Sequence, residues 1–225
     1  MELKNPLYKN QGIHVITSIF TIEKGITKVL LIRKTDGPYK DMWSLVGGAL
    51  YNNEDLIDGA KREILEKTGI DDIDIYLSDV FGDRERSTGM RMIAIAYFGV
   101  INSEYARLLN DKALNKKDLD WFSIQNIPEM AYDHKEQLMK SLECLKEKIS
   151  YTSIIKALFP NGFTIPELQK AYEIILGKSF DRRNFRKKLL SSGLVEETSQ
   201  TTKFEGNKPA YVYKFKKGIK KQNLF

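Results

Sequence analysis

The spacing of glycines and charged residues between positions 48 and 70 constrains the fold more than any other feature of this 225-residue chain. The segment reads GALYNNEDLIDGAKREILEKTGI, in which a glycine-rich turn precedes a stretch with helical periodicity over about 54–68. Gly69 follows directly, at the position where a glycine usually ends a helix. The sequence therefore predicts a loop, an amphipathic helix and a second loop, with Glu63 and Glu66 on one helix face.

Short β-rich runs flank this helix on both sides. Two runs within 12–32 are separated by the turn-like residues 23–25 and predict a strand hairpin. Further strands are expected at about 73–80 and 90–100, and a second long helix over 134–148 carries Leu138, Leu142 and Leu145 on one face. The front of the chain, residues 1–149, is therefore predicted to be a mixed α/β domain.

Beyond residue 150 the pattern changes to short helical segments with their own start and stop signals. Thr164 and Glu167 have the spacing of a capping box, Gly177 is expected to close that helix, and Asp181 can cap the next one. Two β-rich runs, LVEET and PAYVYKF, then predict a hairpin. Three short helices followed by a hairpin are the outline of a winged helix-turn-helix domain, which we predict over residues 150–225.

The two parts of the chain differ in charge. Residues 151–225 contain 15 of the 36 Lys and Arg residues and 6 of the 30 Asp and Glu residues. This part therefore carries a net charge of +9, and residues 1–150 carry −3. Such a tail favours a polyanion partner, although a basic tail that only aids solubility has the same charge. One cysteine, no signal-peptide pattern in the first ten residues and no run of membrane-spanning length predict a cytoplasmic protein without membrane association.

The segment 48–70 resembles the Nudix signature, in which a glycine, a glutamate and an Arg-Glu-apolar-x-Glu-Glu-x-Gly-apolar run recur at fixed spacing. The residues in register are Gly48, Glu54, Arg62, Glu63, Ile64, Glu66, Gly69 and Ile70. The resemblance implies a Nudix α/β/α sandwich whose helix aims carboxylates at a divalent metal, which neutralises a substrate diphosphate. A solvated helix face is the alternative interpretation, and it leaves the glycine spacing unexplained. In either case the expected buried side consists of Leu56, Ile57, Ala60, Ile64 and Leu65.

The chain departs from the signature at Lys67, where the family has its second consecutive glutamate. An ammonium about 4 Å from a dication costs on the order of 2–8 kcal/mol, so metal binding should be weak, and Lys67 can pair with Glu63 or Glu66 instead. We therefore predict no catalytic residues, no cofactor and no metal site in the residual signature of Glu54, Arg62, Glu63 and Glu66. If some hydrolase activity remains, Mg²⁺ would bind Glu63 and Glu66.

Candidate effector-binding residues lie in loops near the signature. They are Trp43, Gly47, Gly48, Arg84, Arg86 and Arg91. Guanidinium groups in a turn between strands can bind phosphates or sugar hydroxyls as bidentate donors, although a surface charge cluster explains them equally well. Asp133 and His134 are either a polar pair near the pocket or the cap of the following helix, and we favour the cap. His14 is interpreted as a core residue.

The third helix of the tail carries five basic residues within seven positions. Phe185 and Leu189 are expected to face inward, and Arg183 and Lys187 to project almost opposite to them. Such a helix can enter a DNA major groove, with the following hairpin as a wing. The DNA-binding candidates are Arg182, Arg183, Asn184, Arg186, Lys187 and Lys188 in the helix, and Lys203 and Lys208 in the hairpin.

Together these parts resemble the Nudix-related transcriptional regulators, a bacterial family with an N-terminal Nudix domain and a C-terminal winged helix. The resemblance extends to YDHKEQLMKSLECLKEKISYT and FTIPELQKAYEIILGKSFDRRNFRKKLL. It implies a homodimeric repressor that binds palindromic operator DNA and responds to a sugar or an ADP-ribose-like metabolite in the Nudix domain. The alternatives are a Mg²⁺-dependent Nudix hydrolase of ADP-ribose or a related nucleoside diphosphate derivative, and an RNA-binding module.

Overall fold

The computed structural model describes residues 11–87, 89–112, 118–150, 152–203 and 209–216. The strands are β1 (Gln11–Glu23), β2 (Ile26–Arg33), β3 (Trp43–Ser44), β4 (Val46–Ala49), β5 (Ile75–Phe81), β6 (Arg91–Val100), β7 (Leu119–Ser123), β8 (Val195–Lys203) and β9 (Pro209–Phe215). The helices are α1 (Leu56–Thr68), α2 (Ser103–Lys112), α3 (His134–Lys148), α4 (Thr152–Lys156), α5 (Ile165–Leu176) and α6 (Arg182–Ser191).

Strands β1 to β7 form one mixed sheet in the order β3-β2-β1-β6-β5, with β4 paired to β1 and β7 paired to β2. The long strand β1 lies at the centre of this sheet. It pairs antiparallel with β2 and β4 along one edge and parallel with β6 along the other. Because its side chains alternate between the two faces of the sheet, β1 supplies apolar residues to the buried clusters on both faces.

The sheet lies between two layers of helices. On one face, Ile19 and Val46 pack with Ile64 of α1. On the other face, Ile16 packs with Leu138 of α3. The predicted hairpin, both long helices and the Nudix α/β/α sandwich are therefore confirmed.

The tail folds as three helices followed by a hairpin, as predicted. Thr164 and Glu167 form the reciprocal bonds of a capping box at the start of α5, and Gly177 ends that helix with φ 65°. The side chain of Asp181 accepts a hydrogen bond from the backbone N–H of Asn184 and so caps α6. Strands β8 and β9 pair antiparallel, which completes a winged helix domain.

One apolar core continues from the Nudix domain into the winged helix. Leu145 and Ile149 at the end of α3 belong to the same buried cluster as Ile154 and Phe163 of the tail. The predicted boundary between residues 149 and 150 falls between α3 and α4, and it stays a prediction because packing is continuous across it. None of the helices described above is both long enough and apolar enough to span a bilayer.

The prediction for the buried side of α1 is partly wrong. Ala60 and Ile64 are buried as expected, but Leu56, Ile57 and Leu65 are 38%, 51% and 50% exposed. The helix is rotated so that the stripe of Gly59, Ala60, Glu63, Ile64 and Thr68 is buried. A buried glutamate on that stripe, which binds neighbouring cations, sets the orientation of the helix. The predicted turn at Gly47 and Gly48 is also wrong, because both residues lie in strand β4. Helix α2 and strands β3, β4 and β7 were not predicted.

Candidate functional site

The signature loop places a carboxylate of α1 against the backbone of β4. A Cβ atom at Gly48 would lie 2.4 Å from the carboxylate of Glu63, which is much closer than van der Waals contact. Glu63 is only 5% exposed, so the carboxylate is buried in the space that a side chain at position 48 would fill. Glycine at this position therefore permits the close approach of α1 to the sheet.

Arg62 binds all three glutamates of the signature. It forms two hydrogen bonds of 2.8 Å with Glu54, one of 2.7 Å with Glu63 and one of 3.2 Å with Glu66. It also donates to the carbonyl of Ala49 at 3.0 Å. The hydrogen bonds from Arg62 lower the pKa of Glu54 to about 2. Arg62 thus ties the three signature carboxylates to one cation of the same helix.

Lys67 binds the buried carboxylate from the next turn of α1. Its Nζ lies 2.7 Å from Oε2 of Glu63 and also donates to the carbonyl of Gly47. Of the two pairings that the sequence left open, the structure has the one with Glu63.

A divalent metal needs carboxylate oxygens that are free to face it. The carboxylate of Glu63 is bound by two cations, Arg62 and Lys67. Within the part of the chain that the structure describes, no group of three His, Cys, Asp or Glu side chains is arranged to hold a metal. In this arrangement neither oxygen of the Glu63 carboxylate is free of a cation.

A cavity with a volume of about 760 Å³ opens beside the signature loop. Among the predicted effector-binding residues, Gly47, Gly48 and Arg86 line it. The predicted residues that do not line it are Trp43, which packs on Phe122, and Arg84 and Arg91. The wall also contains residues that were not predicted, namely Lys34, Lys67, Tyr132, His14 and His134.

Arg86 is held at the cavity by Asp133. Two hydrogen bonds of 2.9 Å join its guanidinium to the carboxylate, and the side chain of Arg86 is 5% exposed. Burial opposes ionisation of Asp133, but the hydrogen bonds from Arg86 outweigh it, so the pKa of Asp133 is lowered. The interpretation of Asp133 as a side-chain helix cap is wrong: it stands at the N-cap position of α3 without a capping hydrogen bond. Its carboxylate is bound by Arg86 and by Gln137 instead.

Two histidines on the cavity wall are held in the neutral form. Burial lowers the pKa of His134 to about 4, and its Nδ1 accepts a hydrogen bond from the N–H of Leu45 at 3.1 Å. Burial also lowers the pKa of His14, and the charges of Arg86 and Lys67 act in the same direction. His14 lines the cavity, so it is not simply a core residue. Neither histidine adds charge to the cavity at neutral pH.

An aromatic group lies at the same cavity. Tyr132 has φ 55°, a conformation that non-glycine residues rarely adopt. Its ring centroid lies 4.3 Å from that of Tyr39 and 5.5 Å from the ammonium of Lys34. Backbone strain of this kind often marks ligand-binding positions. The sequence offered no local signal for it, because Tyr132 is about 85 residues from the signature loop in the chain.

Helix α6 presents its basic residues to solvent. Phe185 and Leu189 are buried as predicted. The six DNA-binding candidates of the helix are all exposed, namely Arg182, Arg183, Asn184, Arg186, Lys187 and Lys188. Lys203 ends β8, and Lys208 lies outside the described residues. Arg186 of α6 and Tyr213 of β9 line the same small pocket, so α6 lies against the hairpin.

The architecture and the cavity define a class of protein: a Nudix domain whose signature carboxylates are bound by its own cations, joined to a winged helix. Two family models match the chain, the NUDIX domain over residues 12–142 and the NrtR DNA-binding winged helix domain over residues 155–215. The ADPR responsive transcriptional repressor NtrR of Acinetobacter baylyi is 33% identical over 214 residues, which are 92% of this chain and 83% of that protein. The chain therefore belongs to the NrtR family of Nudix-related transcriptional regulators.

Solved structures share both parts of the fold. NrtR of Shewanella oneidensis in complex with a 27mer DNA superposes with a TM-score of 0.81 at 24% identity, covering 91% of this chain and 93% of that one. A MutT/nudix family protein of Enterococcus faecalis superposes with a TM-score of 0.74 at 21% identity, covering 96% and 90%. The Nudix part alone resembles an ADP-ribose pyrophosphatase of Methanocaldococcus jannaschii, 28% identical over 125 residues, 55% of this chain and 71% of that protein.

Proposed function

We propose that this protein is a cytoplasmic, homodimeric transcriptional repressor that binds operator DNA and changes its DNA affinity when the Nudix domain binds ADP-ribose or a related nucleoside diphosphate. One observation carries the proposal: a cavity lined by cations and a solvent-exposed basic helix are joined by one continuous core. The Acinetobacter baylyi relative is named as ADPR responsive. The Nudix domain of Shewanella oneidensis NrtR has been crystallised with ADP-ribose.

The cavity supports an effector of this class by its size and charge. Its volume of about 760 Å³ falls within the range of sites for small organic ligands, roughly 300–1,000 Å³. Arg86 and Lys67 reach the wall, and guanidinium and ammonium groups are the usual phosphate-binding groups of proteins. Tyr132 offers an aromatic face beside them.

We propose further that the domain binds the effector without cleaving it. In the described arrangement the carboxylate of Glu63 is paired with Lys67 and Arg62, so neither of its oxygens is free to bind a catalytic metal. The rival proposal, hydrolysis of ADP-ribose, follows from the similarity to the pyrophosphatase of Methanocaldococcus jannaschii. Chromatography of ADP-ribose incubated with the protein and Mg²⁺ separates the two. Turnover at ordinary enzymic rates would contradict the proposal.

The DNA-binding role is tested with the full-length protein on duplexes selected from a random library and on its own promoter region. If about six cations contact phosphates, the logarithm of the binding constant should fall with log salt at a slope near −5. Arg183→Ala and Lys187→Ala should each weaken binding and reduce the slope by about 1. Lys146→Ala removes an exposed charge from α3, outside the winged helix, and should change neither. Failure to select any duplex sequence would refute the proposal.

A further inference from the structure

We infer that Lys67 is the built-in cation of an anion-binding subsite in the Nudix cavity, where its ammonium neutralises the diphosphate of the effector in place of a divalent metal. The inference rests on the proposed function for the class of effector. It goes further by assigning the counter-charge to one side chain and by making effector binding independent of metal.

The position of the Lys67 ammonium supports this role. Nζ is held by Glu63 and by the carbonyl of Gly47. An ammonium has three N–H donors, and the hydrogen bond to Gly47 uses one of them, so donor capacity remains for a ligand. The side chain of Lys67 is 37% exposed and lines the cavity, whereas the side chain of Glu63 is 7% exposed and is not among the lining residues. The cation therefore faces the cavity and its counter-ion does not.

Arg86 repeats this arrangement on the same cavity. Its guanidinium lines the wall, while Asp133, which accepts two hydrogen bonds from it, does not. The two carboxylates that do line the cavity, Asp36 and Asp118, are exposed to solvent, where water and salt screen their charge. An anion in the cavity thus meets Lys67 and Arg86 directly, with their compensating acids behind them, and Arg33 and Lys34 also line the wall. Such an arrangement concentrates positive potential where a ligand binds.

The chemistry of an ammonium also explains why binding need not lead to cleavage. A divalent metal both neutralises a diphosphate and lowers the pKa of a bound water, which generates the nucleophile for hydrolysis. A lysine ammonium supplies positive charge and hydrogen bonds but does not activate water in this way. Lysine at position 67 therefore retains the binding part of the metal's role and loses the catalytic part.

The test measures binding of ADP-ribose and of inorganic pyrophosphate to the full-length protein by isothermal titration calorimetry, once in EDTA and once in Mg²⁺. We expect both probes to bind in EDTA and Mg²⁺ to give no gain. Lys67→Met should weaken binding in EDTA by about 10- to 100-fold, the loss expected for one charge-assisted hydrogen bond. Lys61→Met is the matched control, since Lys61 is exposed on the same helix and does not line the cavity. This control should bind as the wild type does.

A double variant separates direct binding from repulsion. Lys67→Met alone leaves the Glu63 carboxylate with Arg62 as its remaining partner, and that acid could repel an anion. Glu63→Gln combined with Lys67→Met removes both charges, and it also serves if the single variant does not fold. Continued weak binding in the double variant supports the inference. Recovery of wild-type affinity, or full affinity in Lys67→Met, overturns it.

The two probes distinguish failure of this inference from failure of the proposed function. Binding of ADP-ribose only when Mg²⁺ is present overturns the metal-free subsite and leaves the proposed effector in place. Lys67-dependent binding of pyrophosphate without binding of ADP-ribose supports the subsite and overturns the proposed effector. No binding of either probe in either buffer overturns both.

Discussion

Protonation of His134 should destabilise the folded protein between about pH 6.5 and pH 4. The imidazole is 8% exposed, and its Nδ1 accepts a hydrogen bond from the N–H of Leu45, which a protonated ring cannot do. Burial lowers the pKa of His134 from 6.5 to about 4 in the folded state, whereas the unfolded chain titrates near 6.5. Because the unfolded state binds the proton more readily, stability falls as the pH drops through this window.

The magnitude of this loss follows from the two pKa values. One pKa unit corresponds to about 1.36 kcal/mol, so the free energy of unfolding should fall by about 2 kcal/mol between pH 7.5 and pH 5. This is a large part of the roughly 5–15 kcal/mol that stabilises a typical domain. Burial lowers the pKa of His14 as well, which adds a loss of the same sign. Asp133 and Glu23 have lowered pKa values, so the stability that these two carboxylates contribute to the folded state is lost only at more acidic pH.

Urea unfolding at the two pH values tests this reasoning. His134→Gln keeps a neutral acceptor for the Leu45 N–H and cannot titrate, so its stability should lose about 2 kcal/mol less than the wild type between pH 7.5 and pH 5. His14→Gln changes the chain's other histidine and is the matched control. This variant should retain the larger part of the loss of stability between pH 7.5 and pH 5. An equal loss in His134→Gln and the wild type would refute the assignment of the effect to the buried imidazole.

Three further outcomes are expected. Gly48→Ala should lower the free energy of unfolding by about 1–3 kcal/mol, because its Cβ would lie 2.4 Å from the Glu63 carboxylate. Gly82→Ala, whose Cβ would meet nothing within 4 Å, should stay within about 0.5 kcal/mol, and equal unfolding curves for both would contradict the contact. Thr164→Ala should cost about 1 kcal/mol in the same assay by removing the cap of α5, and Thr164→Ser should recover most of it. Lys67→Glu should bind Mg²⁺ measurably by calorimetry and Lys67→Gln should not; identical titrations would place the metal defect elsewhere in the cavity.

Features with local physical causes could be predicted from the sequence. The end of α1 at Gly69 was predictable because a left-handed backbone conformation favours glycine, and its φ is 77°. The start of α5 was predictable because the capping box needs only Thr164 and Glu167 at a spacing of three. The inward side of α6 followed from Phe185 and Leu189, since one turn of helix places them on the same face.

Features that depend on distant partners could not be predicted. Arg86 and Asp133 are 47 positions apart, so nothing in the local pattern distinguishes their ion pair from a surface charge and a helix cap. The rotation of α1 has a similar origin, because it depends on the space beside Gly48 that accepts the Glu63 carboxylate. Apolar residues alone predicted the burial of Ala60 and Ile64 correctly but that of Leu65 wrongly, since Leu65 is half exposed. A buried ion pair overrode apolar periodicity at this site.

Communication between the cavity and the DNA-binding helix requires an element that contacts both and moves as a unit. Helix α3 connects the cavity with the winged helix domain: its first residue, His134, lines the cavity, and Leu145 in its last turn packs in the core shared with that domain. Its 15 residues span about 22 Å at 1.5 Å per residue. An effector changes DNA affinity only by as much as it prefers one arrangement of the two domains over another. The Arg86–Asp133 pair at the start of α3 is where such a preference has a physical cause, because an anion that binds Arg86 competes with the carboxylate that fixes the helix there.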